Sequence, residues 1–234
     1  MNIQAKVDPV KAAYAGQTFV YFDLETIPCQ NPDYLVDLAS KVKPPASLKK
    51  QESIDKWLAE NRQSAAVEAL AKTSFDGGRG HICTVAWAKN DSKIEVRHAK
   101  TVADERFILQ DFFGDLDAYH SETLVGHNIA GFDIGFLRKR AICLGVNFPK
   151  GIPRDPKPWD RSIQDTMGMW AGGTNRISMD ELCKVLGIEG KTGFDGSMVA
   201  AAWAAGEHEK IADYCKDDVW RTREIHKRFL SVGW

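Results

Sequence analysis

Asp23 and Glu25 stand two residues apart in Phe22-Asp23-Leu24-Glu25-Thr26, at the end of a β-branched and aromatic run, TFVYFDL (18–24). Side chains alternate along a strand, so both carboxylates face one side. Two carboxylates about 4 Å apart repel by about 4 kcal/mol at an effective dielectric near 20, and a divalent cation is the usual remedy. A third acid, Asp133, closes Gly126-His127-Asn128-Ile129-Ala130-Gly131-Phe132-Asp133, a strand-to-helix junction. A fourth, Asp218, follows Tyr214 by four residues in Tyr214-Cys215-Lys216-Asp217-Asp218. On a helix that spacing stacks Tyr214 and Asp218 at the edge of an apolar stripe running Ile211, Cys215, Val219, Thr222, Ile225 and Phe229. Each motif alone has an ordinary reading: strand-end polar residues facing water, a helix N-cap with Phe132 and Leu137 as a hydrophobic staple, or an aspartate paired with Arg221 or Arg223. The ordered combination is more specific than any of its parts.

The elements that must position these residues read as follows. After the strand at 18–24, ETIPCQNPDY forms a loop with two prolines. Residues 34–72 are mainly helical, interrupted at Lys43-Pro44-Pro45, with a ragged apolar stripe of Ile54, Trp57, Leu58, Ala65 and Leu70. FDGGRG (75–80) is a turn. HICTVAWA (81–88) and SKIEVRHA (92–99) are a strand pair joined at Asn90-Asp91. Residues 103–119 form a helix, 123–128 a short strand, and 134–145 a helix stopped by a glycine. The segment 148–160 has four prolines and is a loop, 162–167 is a short strand, and 178–187 is a helix capped by Ser178 with Glu181 three residues on. Two further helices carry the chain to its end. Strands alternating with helices give a mixed α/β architecture, read as one domain over 1–234 with 34–80 as an insert. Ligands bind such sheets at the carboxyl edge of the strands, where Asp23 and Glu25 fall.

In order and spacing, Asp23-x-Glu25, Asn128-x-x-x-Phe132-Asp133 and Tyr214-x-x-x-Asp218 resemble the DEDD superfamily of 3′→5′ exonucleases, in its tyrosine-bearing subgroup. Within it the chain is similar to predicted exonucleases related to the proofreading domain of family B DNA polymerases. The likeness runs over residues 18–230 and includes RGHICTVAWA and KTGFDGSMVA. The histidine-bearing sister subgroup requires a histidine five residues before the last aspartate, and that position is Asp213. The resemblance implies an RNase H-like fold: a mixed five-stranded sheet flanked by helices, with a helical insert after the first strand. It implies hydrolysis of phosphodiester bonds from the 3′ end of single-stranded DNA with two divalent ions, Mg²⁺ or Mn²⁺. Asp23, Glu25, Asp133 and Asp218 are the expected ligands, Asp23 bridging both ions, and Tyr214 is expected to aim the attacking water. Substrate contacts are expected at Leu24, Thr26, Asn128 and Lys191. The same constellation resembles RNase D-type enzymes that trim RNA, and a degenerate, non-catalytic nucleic-acid-binding module is a further alternative. An internal nuclease or integrase on this fold is disfavoured by the Tyr-x-x-x-Asp helix.

Bulk properties agree with that reading without demanding it. The chain has 234 residues, 44% hydrophobic and 27% charged, enough for a substantial core. No apolar run approaches a membrane span, and the first residues lack a signal-peptide pattern, so the expectation is a cytoplasmic protein. The net charge of −1 is unlike a strongly basic duplex binder, but a protein that grips one strand end needs few phosphate contacts. Five cysteines without a CxxC pair argue against a disulfide framework or zinc ribbon. The six histidines have no metal-binding spacing. Arg176, like Lys191, lies on a loop near the expected site. Seven tryptophans offer stacking surfaces, though most are expected in the core. A polymerase or another replication or repair protein, if it is a partner, is expected on a separate chain.

Overall fold

The computed structural model describes residues 16–117, 122–157, 160–172, 175–191 and 193–234. The start of the chain, the end of the 103–119 helix, and parts of the 148–160, GGTNRIS and KTGFDG loops lie outside the described residues.

Five strands form one mixed sheet: β1 (Phe19–Ile27), β2 (His81–Lys89), β3 (Glu95–His98), β4 (Thr123–Gly126) and β5 (Ile163–Asp165). Their spatial order is β3-β2-β1-β4-β5. β1 pairs antiparallel with β2 and parallel with β4; β2–β3 is antiparallel and β4–β5 parallel. This is the five-stranded RNase H-like sheet expected from the sequence, with β1 at its centre.

Being central, β1 is buried on both faces. Val20, Phe22 and Leu24 pack with Leu109 and Phe112 of α3 (Glu105–Asp117) and Leu137 of α4 (Asp133–Leu144). Phe19 and Tyr21 face the other way, onto Cys215 and Val219 of α8 (His208–Leu230). Two helical layers thus sandwich the sheet. Strand alternation puts Asp23 and Glu25 on the α8 side, while α4 approaches the same edge from the opposite layer. Three short helices complete the fold: α5 (Thr166–Ala171), α6 (Met179–Leu186) and α7 (Val199–Ala204). Ser178 caps α6, its hydroxyl accepting the Glu181 amide at 3.2 Å, as its sequence predicts.

The insert is two helices, α1 (Pro32–Lys41) and α2 (Gln51–Ala71), followed by a 3-10 turn at Lys72–Phe75. Ala66 is the one fully buried residue of α2, which explains the ragged stripe: this helix packs chiefly on α1. The turn is moored to β1, with Thr26 Oγ1 donating to the Ser74 carbonyl at 2.8 Å and the Cys29 amide donating to Thr73 Oγ1 at 2.8 Å. Gly80 permits the approach, since a Cβ there would lie 2.5 Å from the Thr73 oxygen. Buried Glu105 fixes the chain beyond, accepting from the Ile82 amide at 2.8 Å and from Arg140 Nε and Nη2 at 2.7 Å each.

Three expectations need correction. The segment 25–27 belongs to β1, because His81 and Ile82 continue the ladder past a register shift at Glu25/Thr26; the loop is only four residues before Pro32. The last strand stops at Asp165, where that side chain caps α5 by accepting the Met167 and Gly168 amides. Asp133 is the first residue of α4 rather than its cap, which falls on Phe132 with no side-chain cap bond. The tryptophans also differ: among the described residues Trp87 is buried, while Trp170 and Trp234 are 44% and 64% exposed.

Candidate active site

Asp23 and Glu25 project from β1, Asp133 from the first turn of α4, and Tyr214 and Asp218 from neighbouring turns of α8. Glu25, Asp133, Asp218 and Tyr214 are all buried, and Asp23 is partly exposed at the mouth. Their mutual influence is direct. Burial pushes the Asp23 carboxyl up to about 8, Asp218 adds to the rise, and the Lys191 ammonium offsets only part of it. Glu25 is raised well above its ordinary value by burial, then by Asp23 and Asp218. Asp133 is raised by burial and by Asp23, with the amides of Asp133 and Leu24 pulling the other way. Three carboxyl groups held at such cost, around a space that Asp23 and Glu25 line with atoms within 4.8 Å of Cys215 Sγ, call for positive charge.

Lys191 supplies one such charge. Its Nζ lies 2.7 Å from Asp218 Oδ2, donates to the Tyr214 hydroxyl oxygen, and sits 4.5 Å from the centre of the Tyr214 ring. The Lys191 amide donates to Asp180 Oδ1 at 3.2 Å. Arg221, buried one turn beyond Asp218, donates to Asp218 Oδ1 at 3.1 Å and to the Gly190 and Glu189 carbonyls. The arginine therefore orients the acid and anchors the loop carrying the lysine. Phe194 packs edge-on to Tyr214 with ring centres 5.0 Å apart.

The donor set fits a hard divalent cation: four carboxylates, with no histidine among them. Cys215 is adjacent but protonated, because burial, Asp23 and Glu25 all raise its thiol; its Sγ donates to the Asp23 carbonyl at 3.4 Å. The Tyr214 hydroxyl is likewise pushed up, by burial first and then by Asp218, Glu25 and Asp23. It remains a neutral phenol at any ordinary pH.

The remaining expected contacts are placed unevenly. Leu24 points into the core between β1 and the α3/α4 layer, away from the acids, because it alternates with them along the strand. Its amide, not its side chain, reaches the site, where it faces Asp133. The Thr26 hydroxyl is engaged by the Ser74 carbonyl. Asn128 adopts a left-handed conformation (φ 68°) and its carbonyl accepts the Gly131 and Phe132 amides, which turns the chain toward Asp133. Arg176 is exposed. His127 is a brace: Nε2 faces the Ile177 carbonyl and Nδ1 the Thr166 hydroxyl, both at 3.0 Å, and burial lowers its pKa.

Asp165 was not singled out by its sequence. Oδ1 accepts the Asn128 amide at 2.8 Å and Oδ2 the Ala130 amide at 3.1 Å. The carboxylate thus holds the loop before Asp133 while capping α5. The only signal in the sequence is an aspartate before a helix, which is the commonest of caps. Gly126 is required at the same corner, since a Cβ there would meet Ile129 Cγ2 at 1.9 Å.

The fold is shared with known proteins. A family B DNA polymerase structure from Pyrobaculum calidifontis superposes with a TM-score of 0.57 at 18% identity, covering 92% of this chain and 24% of the polymerase. In sequence, a DNA polymerase of Archaeoglobus fulgidus is 28% identical over 151 residues, 55% of this chain and 18% of the relative. A DNA polymerase of Desulfurococcus sp. (strain Tok) is 21% identical over 188 residues, 71% of this chain and 24% of the relative. The chain spans less than a quarter of the length of these curated relatives. A family likeness covers residues 80–232, a stretch that holds Asp133, Tyr214 and Asp218 but begins after β1 and the insert. By that match the chain belongs to the family described as predicted 3′-5′ exonucleases related to the exonuclease domain of PolB.

Proposed function

We propose that the chain is one exonuclease domain that removes nucleotides from the 3′ end of single-stranded DNA, using two divalent ions, Mg²⁺ or Mn²⁺. The observation that carries the reading is the convergence of Asp23 and Glu25 from the central strand with Asp133 and Asp218 from helices on its two faces, at one sheet edge where Lys191 also binds Tyr214 and Asp218. Asp23 would be shared between the ions, Glu25 and Asp218 would complete one set and Asp133 the other. Ions held there would supply an activated water and neutralise charge on the leaving 3′ oxygen.

The chain's own groups do the rest. Tyr214, a neutral phenol whose oxygen receives a Lys191 hydrogen and whose hydroxyl is hydrogen-bonded to Asp218, would orient the attacking water; it is not the base. Lys191 sets the Tyr214 oxygen and Asp218 in place and offers its charge to the scissile phosphate. Asn128 shapes the loop along which the terminal nucleotide lies. A DNA substrate is supported by the relatives, which are DNA polymerases. A polymerase or another replication or repair protein is the corresponding partner. No helix among the described residues is long and apolar enough to cross a membrane, in keeping with a cytoplasmic enzyme.

The test is incubation of 5′-labelled single-stranded DNA with the protein and Mg²⁺ or Mn²⁺, beside Asp23→Ala and an RNA of the same sequence. A ladder shortening from the 3′ end of DNA, missing with Asp23→Ala, is the expected result. A ladder mainly on RNA moves the substrate to RNA and keeps the site. Cleavage that survives Asp23→Ala removes the site assignment. Tyr214→Phe is expected to slow cleavage less than the loss of an acid; an unchanged rate takes Tyr214 out of the reaction.

A further inference from the structure

Phe75 ends the 3-10 turn that closes the helical insert, and 73% of its surface is exposed. Exposure alone means little, since Phe107 of α3 is 69% exposed. What distinguishes Phe75 is how its turn is held. The residue before it, Ser74, accepts a hydrogen bond from Thr26, and Thr73 accepts one from Cys29. On the other flank the Phe75 ring lies 6.4 Å from that of Phe132, inclined at 66°. Phe132 in turn packs on Phe136, with ring centres 5.5 Å apart. Thr26 follows Glu25, and Phe132 precedes Asp133. The turn is therefore tied, through the Thr26 side chain and the Phe132 ring, to the chain neighbours of two of the four acids, while most of the Phe75 ring stands in solvent.

An aromatic ring that is held in place on one flank and open on the other is a stacking surface. Beside a site for phosphodiester bonds the matching ligand is a nucleobase: every base offers a π-face, so stacking is strong and tolerant of sequence. We infer that Phe75 is a platform on which one base of the bound strand stacks, next to the phosphate being cleaved. The inference rests on the exonuclease reading above and extends it, because Phe75 belongs to none of the acidic motifs and precedes the family-matched span. It also gives the helical insert a role, which is to bring a stacking ring to a catalytic edge otherwise built from the sheet, α4 and α8.

The experiment measures kcat/KM for 3′ trimming of a single-stranded oligodeoxynucleotide by wild type, Phe75→Ala and Phe75→Trp. The oligonucleotide is used intact and with one abasic residue placed in turn at each of the last four positions. Stacking of one base is worth about 1–3 kcal/mol, about five- to 150-fold. Phe75→Ala is expected to lose about tenfold on the intact strand, and Phe75→Trp to stay near wild type. At one position the abasic residue is expected to cost wild type a similar factor and to cost Phe75→Ala nothing more. If Phe75→Ala equals wild type on every strand, the platform is overturned and the exonuclease reading stands. A loss that is the same on abasic and intact strands at all positions also overturns it, since the ring would then serve the fold. A wild type inactive on every DNA and RNA end overturns both.

Discussion

Arg221 Nη1 lies 3.1 Å from Asp218 Oδ1, and the two side chains are 5% and 6% exposed. Because the same guanidinium also binds the Glu189 and Gly190 carbonyls, one residue orients an acid of the site and the loop that delivers Lys191. Removing one partner of a buried pair leaves the other desolvated and poorly compensated. Arg221→Ala is expected to cost about 3 kcal/mol or more of stability and to lower cleavage sharply. Arg221→Lys should recover part of the stability but little activity, as one ammonium cannot reach a carboxylate and two carbonyls in a plane. Urea melts and initial rates on the three proteins check this; full activity in Arg221→Ala would show that Asp218 and Lys191 need no such anchor.

The metal-free acid cluster should work against the fold. Asp23 has its carboxyl raised from 3.8 to about 8, so the folded state holds a proton that the unfolded chain has released. Stability of the metal-free protein therefore falls as pH climbs from about 4 to about 8. Mn²⁺ or Mg²⁺, binding only the folded state, should raise Tm, most at the alkaline end. Asp23→Asn should stabilise the metal-free protein at pH 8 by about 1 kcal/mol or more, abolish cleavage, and respond less to Mn²⁺. Thermal melts across this pH range, with chelator and with Mn²⁺, decide; a wild-type Tm indifferent to both ions counts against a preformed site.

A second pH dependence has the opposite sign and a different source. His226 is fully buried between Tyr21, whose hydroxyl is 3.0 Å from Nδ1, and Gln164 at Nε2. Burial lowers its pKa from 6.5 to about 4, so the folded state keeps it neutral while the unfolded chain takes up a proton. Its stabilising contribution is complete above about pH 6.5 and is lost progressively as pH falls to about 4, about 3 kcal/mol in all. Denaturant titrations of wild type and His226→Gln between about pH 4 and 7 should show a steeper dependence in wild type. Equal slopes would place the acid sensitivity elsewhere.

The acids were legible as a set: Asp23 and Glu25 alone would pass for strand-end polar residues, but with Asp133 at a strand-to-helix junction and Tyr214 and Asp218 on one helical edge the order and spacing become specific. The strands announced themselves by β-branched composition, and β1 was misjudged only where Glu25-Thr26-Ile27 lacks it and pairing with His81 and Ile82 decides. What could not be read is non-local. The spacing offered Arg221 as a partner for Asp218, which it is, but its hold on the Glu189 and Gly190 carbonyls exists only once the fold brings that loop to it. Phe75 sits in a glycine-rich turn whose composition says only that the chain bends. Leu24, between two acids, shows how alternation sends a side chain into the core while its amide stays at the site.

Asp165 offers the sharpest test of such hidden positioning. It contributes no ligand to the expected ions, yet its two oxygens receive the Asn128 and Ala130 amides and the first amides of α5. Those amides fix the left-handed Asn128 and the turn that delivers Asp133. Asp165→Ala removes all of these acceptor contacts at once, so its stability cost, about 1–2 kcal/mol from the lost cap alone, does not separate fold from function. Asp165→Asn does, for it keeps one acceptor oxygen to cap α5 while the amide nitrogen opposes a backbone N–H. It should fold with nearly wild-type cooperativity, lose about tenfold or more in rate through misplacement of Asp133, and require more Mn²⁺ to reach its own maximum. Metal titrations of rate and of Tm on the same preparation measure both. A normal metal requirement with a normal rate would show that the loop holds Asp133 in place without Asp165.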